Sequence, residues 1–156
     1  MKRYLSMASV AGLGAALMLG GSAVAQDQPI PVSAAIHAGS CAEPGEQVVA
    51  LDAFRTGMGS AVGASGVPVV VESSTDDIGR ISGQDLTGSP HLIAVFADDA
   101  MVACGDIGGV VDDDDLLVGL SPVDDSGYFG VANVEDITDD DDDDLEVDIY
   151  VVQPNS

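Results

Sequence analysis

Tryptophan is absent from this 156-residue chain, and the other aromatics are scarce, with three Tyr and three Phe. Positive charge is scarcer still: four Lys+Arg stand against 27 Asp+Glu, a formal net charge of −23. A chain with so small a basic footprint has little with which to neutralise phosphates, which argues against nucleic-acid binding and against anionic lipid surfaces. Helical periodicity over ten or more residues is missing beyond the first segment, and so is any later run long enough to span a bilayer. Yet 46% of the residues are apolar, which is not the composition of a disordered acidic tail. What remains is a packed core beneath a strongly acidic surface, at a length that fits one domain.

Residues 1–25 carry the marks of an export signal. Lys2 and Arg3 form a positive start, Val10 to Leu19 an apolar stretch, and Ala23-Val24-Ala25 a small-residue cleavage site. The stretch is short and interrupted by glycine, against the roughly 20 apolar residues of a membrane anchor. The expectation is cleavage after Ala25, and a product secreted, periplasmic or at the cell surface. Residues 26–156 would then be a single domain holding all 27 acids and only two cations, Arg55 and Arg80. Self-repulsion on that scale is relieved by salt or bound cations.

Two cysteines, Cys41 and Cys104, remain after export. An even pair in an oxidising compartment reads as a disulfide. The competing reading, two thiolate metal ligands, lacks a CxxC spacing and nearby histidines.

The rest of the chain reads as strands and turns. Strands are expected at Ile30–His37, Gln47–Asp52, Val67–Ser73, His91–Ala97, Met101–Val110, Leu116–Leu120, Tyr128–Val134 and Leu145–Val152, with a short one around Ile78–Ser82 and a helical turn at Gly83–Thr87. A Gly-rich loop spans 56–66. About eight short strands at this spacing predict an all-β Greek-key sandwich or flattened barrel.

Two Asp runs interrupt the strands, Asp112–Asp115 and an acidic hairpin loop at 139–144. The second does not fit an EF-hand, since Asp144 stands where Gly is needed and Tyr150 where Glu is needed. It reads as a salt-adapted loop or as a weak Ca²⁺ or Mg²⁺ binder through Asp139, Asp141 and Asp143. The pairs Asp76-Asp77 and Asp98-Asp99 read as solvated turns and not as acid/base catalysts. Gly108-Gly109 has no following helix and does not read as a phosphate loop.

Two segments resemble the copper/zinc superoxide dismutase family. Ile36-His37-Ala38-Gly39-Ser40-Cys41 is similar to the family's metal-binding strand, where a His-x-His-Glu stretch precedes the first disulfide Cys. Val95-Phe96-Ala97-Asp98-Asp99 followed by Met101-Val102-Ala103-Cys104-Gly105-Asp106-Ile107-Gly108 resembles its Val-His-Glu strand and the Ala-Cys-Gly-x-Ile-Gly stretch behind it. The resemblance places Cys41 and Cys104 at the family's intrasubunit disulfide. The family's three opening strands do not precede Ile30. Three strand candidates follow Cys104 instead, with Gly119-Leu120-Ser121-Pro122 and Asp125–Gly130 loosely similar to the opening hairpin, so the resemblance implies a circular permutation over about 30–152.

The family's chemistry does not come with the resemblance. His37 matches one copper ligand, but Ala35 and Phe96 stand where two more imidazoles would be, and Met101 replaces the substrate-guiding Arg. His91 matches no ligand and reads as structural. The expectation is therefore no catalysis and no resident cofactor, only weakly bound Ca or Cu at most, in a domain with a binding or structural role. The alternative is a cation- or copper-binding protein working through its acidic loops or His37, with inorganic cations as its partners.

Overall fold

The structure is a computed structural model and describes residues 31–56, 62–63, 67–76, 78, 81–138 and 145–154. The expected export signal at 1–25, Asp77, Arg80, the acidic run 139–144 with Asp139, Asp141 and Asp143, and most of the Gly-rich loop lie outside the described residues.

Strands β1 (Val32–Ser40), β2 (Glu43–Ala50), β3 (Arg55–Thr56) and β4 (Val69–Thr75) are followed by the one-turn helix α1 (Gly83–Gly88). Then come β5 (His91–Ala97), β6 (Ala100–Asp106), β7 (Val111–Asp112), β8 (Asp115–Pro122), β9 (Phe129–Glu135) and β10 (Glu146–Gln153). All pairings are antiparallel, in the order β2-β1-β5-β6-β8-β9-β10-β4-β3, with β7 on β8. The all-β expectation holds, and each of the eight long strands overlaps its predicted segment. The two extra strands, β3 and β7, are two residues each.

Alternation explains why one sheet curls into a half-barrel around a core. Along β10 every second residue, Val147, Ile149 and Val151, is buried, while Asp148, Tyr150 and Val152 face outward. The inward rows of β1, β4, β5, β8 and β9 meet them, with Ile36, Val71, Ile93, Val95, Leu116 and Val134 in one cluster. Each fully buried aliphatic side chain is worth about 1.5–3 kcal/mol.

Two seams join the halves. Strands β6 and β8 pair only at Ala103↔Pro122 and Cys104↔Ser121. Gly105 permits that approach, since a Cβ there would stand 2.5 Å from the Gly119 carbonyl oxygen. On the other side, the segment after β2 passes from one half to the other. Leu51 donates its N–H to the Ala34 carbonyl, then Asp52 donates to Thr75 Oγ1 at 2.8 Å and accepts from Ser73 Oγ at 2.7 Å. These bonds account for the burial of Ser73 and Thr75.

Of the segment expected as a short strand, Ile78–Ser82, the described residues Ile78, Ile81 and Ser82 are not in a strand. Ile78 and Ile81 are buried in the main core cluster, and the Ile78 N–H donates to the Leu145 carbonyl. The next residues turn into α1, where Ser82 caps the Asp85 N–H and Leu86 fills the core. The strand expected over Met101–Val110 stops at Asp106, before Gly108 and Gly109.

Candidate functional site

The residues singled out by the resemblance lie on the outward face of β1, β5 and β6. Pairing Ala35↔Ala94 and Ile36↔Ile93 turns Ile36 into the core, which sends Ala35 and His37 to the opposite face. Strand β5 is covered on both sides: Ile93 and Val95 pack inward, while Leu92 and Ala94 pack outward with Cys104. Phe96 and Met101 border this second, smaller cluster.

The cover is the tip of the β1–β2 hairpin. Gly39 has φ +95°, a conformation that suits glycine, and its N–H reaches the Pro90 carbonyl at 2.8 Å. The chain then folds over β5, and Cys41 bonds to Cys104 with Cα atoms 5.8 Å apart. The Cys41 N–H donates to Asp106 Oδ1 at 2.6 Å. The expected disulfide is present and clamps the hairpin tip across the strand beneath it.

His37 sits where the β1–β2 register shifts on both sides of it. Its Nδ1 lies 3.0 Å from the Gly45 carbonyl oxygen, and its ring meets that of Phe96 with centroids 5.7 Å apart. With Nδ1–H donating to that carbonyl, Nε2 carries the lone pair; it is buried and has no hydrogen-bond partner. This is the orientation of a metal-ligating imidazole, but its neighbours on that face include Ala35, Ala94 and Phe96, which offer no lone pair. Among the described residues no three His, Cys, Asp or Glu side chains are gathered to hold an ion. His91 is buried elsewhere, its Nδ1 3.0 Å from the Ser89 carbonyl and 3.3 Å from that of Leu86, where it ties α1 to β5.

The acidic pairs have a backbone explanation. Asp98 and Asp99 join β5 to β6 with φ of 50° and 64°, and Asp113 and Asp114 join β7 to β8 with φ of 50° and 73°. Two positive-φ residues between paired strands mark a type I′ hairpin, which selects Asn, Asp and Gly. Asp is tolerated because its short polar side chain suits the left-handed region. The Asp112–Asp115 run is therefore a turn, and it is anchored: the Ile137 N–H donates to the Asp114 carbonyl at 3.0 Å, and Thr138 Oγ1 donates to the Asp114 carboxylate. Ile137 and Thr138 immediately precede residues 139–144 in the sequence.

A third feature was not singled out from the sequence. The outward face of β4, β10 and β9 runs from apolar to acidic in registered rows. Val70, Val152 and Phe129 form one row, Glu72, Tyr150 and Val131 the next, and Ser74, Asp148 and Asn133 the third. Glu146 and Glu135 follow. Burial raises the Glu146 carboxyl above its ordinary range; the Ser74 hydroxyl bond opposes this, and Asp76, Asp148 and Glu135 add to it. Arg55 reaches Glu72 at 3.3 Å in an exposed pair, worth little in water. The signal for this face was present in the period-two pattern of Tyr128–Val134 and Leu145–Val152, once the inward parity is known.

No family model, no curated protein and no solved structure matches the chain. Among the described residues no helix is long and apolar enough to cross a membrane.

Proposed function

We propose that this is an exported, highly acidic, non-catalytic domain resembling copper/zinc superoxide dismutase, with a binding or structural role outside the cytoplasm. The observation that carries the reading is the β1–β5 face. Ala35, His37 and Phe96, the three positions where the resemblance expects copper ligands, share that face, and only one of them can donate to a metal. The consecutive antiparallel run β8–β9–β10 continuing from β6 supports the permutation, because it supplies after Cys104 the three strands that the resemblance expects to open the fold. The Cys41–Cys104 disulfide supports export. The strongly negative surface would also repel superoxide. A superoxide assay on copper- and zinc-loaded, dialysed protein tests the reading: the rate should not exceed that of free copper.

The tie between Asp114 and residues 137–138 favours a second reading, in which the protein holds inorganic cations through its acidic loops or His37. Calorimetric titration with Ca²⁺ separates the two. A saturable calcium isotherm that Asp139–Asp144 replaced by Ser/Asn abolishes would favour the second, and its absence the first.

A further inference from the structure

We propose that the outward face of β4, β10 and β9 docks a cationic polypeptide, one whose apolar patch covers Phe129, Tyr150 and Val152 and whose Lys or Arg side chains meet the acidic rows that begin at Glu72 and Asp148. The inference deepens the binding role proposed above and rests on it.

The outward face of an antiparallel sheet ordinarily alternates to polar residues. Here one whole row across three strands, Val70–Val152–Phe129, is apolar, and the next adds Tyr150 and Val131. Phe129 is 50% exposed, Val70 52% and Tyr150 43%. The chain has only five aromatic residues beyond position 25, and two of them stand on this face. Contiguous apolar outward rows mark contact surfaces, whereas scattered ones do not, and aromatic residues concentrate at the centres of such contacts. The other half of the barrel covers its outward face with its own hairpin tip and disulfide.

Charge selects the occupant. A second copy would bring the rows of Glu72, Asp148, Glu135 and Glu146 against their like, on a chain of 27 acids and, beyond position 25, two arginines. Anionic lipid is disfavoured on the same ground. A partner with Lys or Arg beside an apolar patch gains on both halves of the face, and the crowding around Glu146 is relieved when it docks. Opposite charge also speeds its arrival.

The test uses the full mature protein and a dye-labelled peptide of Leu and Lys arranged on opposite faces of a helix, at physiological salt. Its scrambled counterpart has the same composition and no apolar face. Fluorescence polarisation should show saturable binding of the ordered peptide. Affinity should fall by about tenfold or more for the scrambled peptide and for the F129S/V131T protein. The Val110→Ser protein, altered at a separate exposed valine, should bind as the parent does. Equal affinity of the parent and F129S/V131T, or of the two peptides, would overturn the proposal. If F129S/V131T does not fold, amide shift mapping on the parent decides instead: shifts on β4, β9 and β10 support the face, and shifts elsewhere overturn it. A dimer of the parent at high salt that F129S/V131T abolishes would also overturn it, in favour of a second copy. Copper-dependent superoxide turnover would sink the non-catalytic reading and leave these binding results as they stand, so the two fail separately.

Discussion

Replacing both Cys41 and Cys104 by Ala should lower the melting temperature by about 15 °C. The bond spans a sequence separation of 63. Closing a loop of that length removes unfolded-chain entropy worth about 4 kcal/mol at 25 °C. A domain of about 130 residues has an unfolding entropy of roughly 0.27 kcal/mol per degree, so about 4 kcal/mol corresponds to about 15 °C. The cross-link is also a lid, since Cys104 packs on Leu92 and Ala94 beneath the hairpin tip. Its loss therefore adds a smaller packing term of the same sign.

Far-UV circular dichroism is the suitable probe, because the chain has no Trp. Urea unfolding separates the two contributions. A cross-link acting through the unfolded state lowers the denaturant slope, so the double variant should show a steeper slope as well as an earlier midpoint. Lost packing alone would move the midpoint and leave the slope unchanged. A fall of less than about 3 °C, on the same scale of degrees per kcal/mol, would refute the loop-closure reasoning.

A Cβ at Gly83 would strike the Ile137 carbonyl group, whereas one at Gly88 would meet open space. Gly83→Ala should cost about 1–3 kcal/mol, and Gly88→Ala should leave the melting temperature unchanged or slightly raised. The raised Glu146 carboxyl means that the folded state holds that proton more tightly than the unfolded chain does. Its contribution to stability is thus lost as pH rises from the ordinary carboxylate range through the raised value. Glu146→Gln should melt higher than the parent at pH 7, with the difference vanishing toward pH 4. Salt should stabilise the parent, because the Debye length shrinks from about 30 Å at 0.01 M to about 3 Å at 1 M. A melting temperature that stays flat in both NaCl and KCl would contradict the self-repulsion inferred from charge.

The strands were legible because their signal is local. Alternation and turn clusters located His91–Ala97 to the residue and the other long strands to within a few positions. Around Ile78–Ser82 the described residues Ile78 and Ile81 are buried without belonging to a strand, and apolar residues in a short run do not tell the two cases apart. Asp98-Asp99 was legible as a turn, and the structure adds why Asp serves there and at Asp113-Asp114, which is its tolerance of positive φ. The outward face of β4, β10 and β9 escaped notice because it depends on pairing register across strands that lie far apart in the chain. Val70 and Phe129 become neighbours only through Val152.

Metal content and superoxide turnover, measured together on the mature protein after copper and zinc loading and dialysis, test the central claim most directly. With Ala35 and Phe96 beside a solitary His37, the protein should retain well under one copper per chain and should turn over superoxide no faster than the dialysate. One dialysis-resistant copper per chain with rapid turnover would contradict the non-catalytic reading.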